Sequence, residues 1–133
     1  MAQVLYTRNS AAVDGSFQAT VLIDDLLSVV AMSGDLDLAS CAAALAACTS
    51  ADQLDVVVQL ADVEFMDCAG YGALVAAHTT LDQRGGSLVL KGPVGEPLRL
   101  LSLIEFGAQA SKGSPPEFSH LDGIWSRATV QPN

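Results

Sequence analysis

The stretch VEFMDCAGYGALVAAHTTLDQRGGSLVL, residues 63–90, changes its period twice. Up to Met66 it continues an extended, apolar run. Beyond Asp67, Leu74, Ala77 and Leu81 fall at steps of three and four, one face of a helix. Gly85-Gly86 supplies a stop for that helix, and Ser87 to Lys91 is again short, apolar and strand-like. Asp67 stands where a helix needs an N-cap acceptor. A strand, a helix and a strand joined this tightly form a crossover between parallel strands.

The flanks extend this unit. Upstream, Leu54 to Leu60 (LDVVVQL) is nearly continuous in apolar residues, the pattern of a central strand buried on both faces. Phe17 to Ile23 and Leu27 to Ser33 read as two strands joined by an Asp24-Asp25 turn, a hairpin. SGDLDLAS breaks the second strand at Gly34, and Asp37 or Ser40 can cap the helix that follows. In that helix Leu38, Cys41, Leu45 and Cys48 share one face, which directs both cysteines into the core. Downstream, Gly92-Pro93 punctuates, and Val94 to Phe106 forms a third helix with Pro97 in its first turn and Gly107 as its stop. SKGSPPEF is a loop. In the tail from Ser119 to Asn133, Ile124 and Trp125 suggest docking on the domain. The order β-β-α-β-α-β-α predicts an α/β fold. It has a mixed sheet of about four to five strands, an N-terminal hairpin and three or more covering helices, in a single domain over 1–133 with its core at about 17–107.

Composition narrows the function. The 133 residues are 50% hydrophobic, enough for a core without staples. The net charge of −9 opposes nucleic acid and anionic membrane surfaces as partners. No apolar run approaches the ~20 residues of a membrane span, so no membrane insertion is expected. MAQVLYTRNS lacks the basic start and apolar region of a signal peptide. Three cysteines, Cys41, Cys48 and Cys68, without CxxC spacing support neither a disulfide framework nor a zinc site. A cytoplasmic protein is expected. Between Arg8 and Arg84 there is no Lys or Arg, whereas eleven acidic residues occur, from Asp14 to Asp82. This interval is either a solvated acidic surface or a face that steers a basic partner.

Catalytic chemistry finds little support. Cys68 at a helix N-terminus would have its thiolate favoured by the aligned peptide dipoles. Its natural partner His78 lies ten residues along the same helix, ~15 Å away at ~1.5 Å per residue, beyond reach of a general base. His120, in the tail, is the other candidate. GYGALV imitates the start of a dinucleotide fingerprint, but Val75 replaces the third glycine and no phosphate-loop motif occurs. Asp35 and Asp37 lie in a turn without a histidine nearby, which reads as solvated loop rather than as metal or acid–base site. No catalytic residue, metal ligand or cofactor is expected, and the remaining reading is a binding module.

Two motifs give that module a family. Gly34-Asp35-Leu36-Asp37 matches the G-E-[LI]-D pattern, and Phe65-Met66-Asp67-Cys68-Ala69-Gly70-Tyr71-Gly72 matches F-[ML]-D-[ST]-[ST]-G-[LI]-G. With Gly85-Gly86 before the next strand, the chain from about Phe17 to Gly107 resembles the STAS domain, and more narrowly the bacterial anti-sigma factor antagonists. The resemblance implies a non-enzymatic switch protein that binds an anti-sigma factor of kinase-like fold and frees a sigma factor for transcription. It implies partner contacts through Asp35, Asp37, Asp67, Cys68, Ala69, Gly70 and Tyr71. It also implies a phosphoacceptor at the second hydroxyl of D-[ST]-[ST]-G, which here is Ala69 and carries no oxygen. The family's phosphorylation switch is therefore absent at that position. Cys68 is then either a small, inert packing residue or an oxidisable signal. The alternatives within the resemblance are a STAS subunit of a lipid-transport ATPase assembly and a small-molecule or nucleotide-binding sensor. The sequence leaves the oligomeric state open.

Overall fold

A computed structural model describes residues 3–9, 17–23, 25–110, 118–121 and 124–126. They run as β1 (Gln3–Asn9), β2 (Gln18–Ile23), β3 (Leu27–Leu36), α1 (Cys41–Thr49), β4 (Asp55–Met66), α2 (Cys68–Gln83), β5 (Ser87–Lys91), α3 (Gly95–Ala110), β6 (Ser119–Leu121) and β7 (Ile124–Ser126). The strands form one mixed sheet in the order β1-β2-β3-β4-β5-β7-β6. β2 and β3 pair antiparallel, as the hairpin predicts. β3, β4 and β5 are parallel neighbours joined through α1 and α2. The expected mixed α/β architecture with three helices is present. β1 extends it beyond β2, and β7 with β6 extend it beyond β5.

The core follows from the register. Val21, Val30, Val58, Leu90 and Trp125 are partners in one row across five strands, and all are buried. The neighbouring row Ser28, Val56 and Leu88 is buried too. Both crossovers advance in the same direction along the sheet, so right-handed connections lay α1 and α2 on the same face. Ala44, Ala47 and Cys48 of α1 and Leu74, Ala77 and Leu81 of α2 close the core there. The other sheet face carries the row Leu22, Val29, Val57 and Val89, which is only half-buried. β4 therefore departs from the expected burial on both faces: its side chains alternate, and Gln59 is exposed.

Other expectations are corrected at element ends. β3 does not break at Gly34 but runs on to Leu36. Gly34 takes φ 86° and the register against β4 shifts just after it, so the glycine makes a bulge rather than a stop. α1 begins at Cys41, which leaves Leu38 in the preceding turn, 75% exposed. The buried face of α1 is rotated accordingly: Cys48 is buried, whereas Cys41 is only half-buried. α3 passes through Gly107 to Ala110, since packing can absorb the ~1 kcal/mol that a helical glycine costs. The stop of α2 is as expected. Gly86 N donates to Leu81 O (2.8 Å) and Gly85 N to Asp82 O (3.0 Å), with Gly85 at φ 84°, a Schellman motif. Trp125 docks as expected, while Ile124 beside it is exposed. Asp24 and the loop over 111–117 lie outside the described residues.

Candidate functional site

The carboxyl ends of β3 and β4 lie side by side, with Asp35 paired to Phe65 and Leu36 to Met66. The chain leaves β4 at Asp67, whose N–H donates to the Leu36 carbonyl (3.3 Å). This places the two sequence motifs against each other. The Gly34–Asp37 segment and the Asp67–Gly72 helix start form one surface at that end of the sheet.

Each motif is held by its own polar side chains. Asp67 is the N-cap of α2, in extended conformation, and its carboxylate accepts the Gly70 N–H (2.9 Å). The first helical bond, Tyr71 N to Asp67 O (2.9 Å), follows directly. Before α1, the Asp37 carboxylate accepts the N–H groups of Ala39 (3.0 Å) and Ser40 (3.3 Å), which fixes the turn over 38–40. Ser40 does not cap α1 with its side chain. It is buried and folds back instead: Oγ donates to the Asp35 carbonyl (2.7 Å) and accepts the Asp37 N–H (3.0 Å). Ser40 thus ties down the loop that presents Asp35 and Asp37, a role its position at a helix start does not announce.

What the surface presents is small and partly apolar. Cys68 is exposed, Ala69 and Tyr71 are half-buried, and Gly70 is buried. Gly70 packs on the Leu36 carbonyl so closely that a Cβ would stand 2.8 Å from its carbon. Asp35 and Asp37 are half-buried at the rim. Leu38, read as part of the core-directed face of the first helix, and Phe65, read only as part of a motif, both project here, 75% and 42% exposed. Leu38 lies in the turn before α1, and Phe65 lies where the burial of β4 stops alternating, beside the register shift against β3. Asp62 and Glu64, on the second half of β4, add exposed acidic groups nearby.

His78 is buried, and its ring lies against Phe118, with centroids 5.6 Å apart. Cys68 is exposed at the other end of the same helix region. The side chain of His120 lies outside the described residues. Among the described residues no three His, Cys, Asp or Glu side chains gather as a metal site. No described helix is long and apolar enough to cross a membrane. Burial pushes the pKa of the Cys48 thiol up to about 12.

The family model described as STAS domain matches residues 18–111. Among solved structures, the chain is similar to an anti-sigma factor antagonist from Mycobacterium paratuberculosis. The identity is 28% over 76% of this chain and 86% of that one, with a TM-score of 0.55. It is also similar to the anti-sigma factor antagonist SpoIIAA in its unphosphorylated form, at 19% identity over 65% of this chain and 78% of that one, with a TM-score of 0.54. No curated protein matches the chain significantly.

Proposed function

The chain belongs to the STAS domain family, and from that premise we propose that it is a cytoplasmic, non-enzymatic anti-sigma factor antagonist that lacks the family's phosphorylation switch. Its partner is an anti-sigma factor of kinase-like fold, and its binding frees a sigma factor for transcription. The observation that carries the reading is the surface where Asp67, Cys68 and Ala69 meet the Asp35–Leu38 segment. Polar caps fix its backbone, and Leu38 and Phe65 offer exposed apolar contacts between acidic neighbours. That is the anatomy of a small protein-docking patch, an apolar centre with a charged rim. The acidic rim would raise the association rate with a basic partner and make it salt-dependent.

In a switching antagonist, a phosphate at the second residue of a helix is tolerated by the helix dipole. The same phosphate adds ~1.5–2 negative charges to the docking surface and repels the partner. Ala69 removes that step, so the surface stays in its binding-competent form whatever the activity of the kinase.

Affinity capture with the whole chain, read by mass spectrometry, tests the reading. The expected prey is a kinase-fold anti-sigma protein, lost from Leu38→Ser and Phe65→Ser variants that still fold. Capture of a transporter ATPase, or co-purification of a small molecule with no protein prey, would replace it with the corresponding STAS role.

A further inference from the structure

The STAS match ends at residue 111, yet the sheet does not. β7 pairs with the β5 edge through Leu90–Trp125 and Lys91–Ile124, and β6 adds outside it. Two large aromatic side chains of this strap, Phe118 and Trp125, are each 2% exposed. Phe118 packs on α2. Its ring meets Tyr71 edge-on, with centroids 6.2 Å apart and planes at 80°, and it meets His78 at 5.6 Å with planes at 56°. Tyr71 and His78 are seven residues apart on α2, so one ring bridges two successive turns of that helix. Tyr71 belongs to the turn that opens α2, immediately after Ala69 and Gly70.

We propose that Phe118 is a positioning residue: the strap of Phe118, β6 and β7 holds Tyr71, and through it the Cys68–Gly72 turn, in the geometry that meets a protein partner. The proposal rests on the reading of that turn as the docking surface. The link is mechanical. The turn is already capped from its own side by Asp67, and the Tyr71 ring is its one large side chain. An edge-to-face contact fixes the orientation of both rings beyond what apolar burial alone does. Coupling of this kind is reciprocal, so loosening Tyr71 must loosen the strap by the same factor.

The test uses the whole chain and three substitutions. Phe118→Leu keeps an apolar side chain and removes the ring, Phe118→Tyr restores a ring, and Tyr71→Leu breaks the contact from the other side. Amide exchange by mass spectrometry is followed in a peptide covering 68–72 and in one covering α1. The chain has a single tryptophan, Trp125, so its quenching by acrylamide reports the strap. Phe118→Leu should speed exchange over 68–72 about three- to tenfold, leave α1 unchanged, and be reversed in Phe118→Tyr. Tyr71→Leu should raise Trp125 quenching. Exchange that rises equally in both peptides, or does not rise at 68–72, would overturn the proposal by reducing Phe118 to a core residue. If Phe118→Leu does not fold, unchanged quenching in Tyr71→Leu overturns it. These readouts need no partner, so failure to find an anti-sigma factor would sink the proposed function without imitating any of these results. With a captured partner, Phe118→Leu should weaken binding by about the factor seen in exchange, and an unchanged Kd would overturn the positioning role.

Discussion

Gly70 rests on the carbonyl of Leu36, and the contact leaves no room for a side chain. The same carbonyl accepts the Asp67 N–H (3.3 Å). The end of β3 and the start of α2 are therefore joined by a hydrogen bond and by close backbone packing, and the proposed docking surface depends on both. Gly70→Ala should destabilise the domain by roughly 3 kcal/mol, because the added methyl meets backbone that cannot turn aside. Gly72, one residue beyond Tyr71, has open space around its Cβ position and lies within the helix. Gly72→Ala should stabilise by ~0.5–1 kcal/mol. Urea unfolding of the two variants, side by side, would show opposite signs. Equal effects would mean that the strand–helix contact is looser than described.

The capping groups separate by chemistry. Asp67→Ala should cost ~1 kcal/mol, whereas Asp67→Asn keeps an acceptor for the Gly70 N–H and should cost much less. Ser40→Ala should cost about 1–3 kcal/mol, since it strips a partner from both the Asp35 carbonyl and the Asp37 N–H at a buried position. Thermal unfolding of the three variants orders them. A Ser40→Ala protein as stable as the parent would show that water replaces the hydroxyl without loss.

Cys48 should make stability fall in alkali. Its thiol is buried and its pKa is pushed up from 9.0 to about 12 by desolvation of the thiolate. Above pH 9 the unfolded chain releases this proton while the folded chain keeps it. The unfolded state then binds fewer protons, and stability drops as pH rises from about 9 toward 12, by at most ~1.4 kcal/mol per unit from this group. Cys48→Ala should flatten that part of the profile in denaturant titrations at successive pH values. Native-state labelling at pH 8 should follow exposure: Cys68 first, half-buried Cys41 more slowly, and Cys48 only on unfolding. Rapid labelling of Cys48 would contradict its burial.

Much of the fold was legible because it is local. The hairpin at Phe17–Ser33, the Asp67 cap and the Gly85-Gly86 stop are all written in periods and turn residues, and the structure places them where they were read. What was not legible depends on distant partners. Gly34 looks like a strand end until β4 is alongside to continue the ladder across a bulge. Leu38 and Leu45 share a helical period, but α1 starts too late to use it. His78 shares the buried face of Leu74, Ala77 and Leu81, so its burial follows from the period of α2, whereas the Phe118 ring packed on it comes from beyond the STAS match and has no signal within α2. The candidate site divides in the same way. Its two motifs were readable as motifs. The apolar exposure of Leu38 and Phe65 and the inward turn of Ser40 come from the meeting of β3, β4 and the α1 turn.

In the proposed function, Ala69 decides how the site is regulated. It is the second residue of α2, half-buried, at the position where the family motif carries its phosphoacceptor hydroxyl. A kinase partner should leave the turn over 68–72 unmodified, and binding should not respond to ATP through it. Ala69→Ser should fold normally, because serine is small and is tolerated in a first helical turn. If the surface still fits a kinase, the variant should become a substrate, and the added ~1.5–2 negative charges should weaken the complex. Incubation of both chains with partner and ATP, followed by peptide mapping and binding measurements, reads the outcome. Phosphate on another Ser or Thr of the parent chain, with a matching loss of binding, would show that the switch has moved along the chain rather than been lost. An Ala69→Ser protein that stays unmodified beside an active kinase would mean that this surface no longer serves as a kinase substrate, and the proposed partner would have to be replaced by one without that activity.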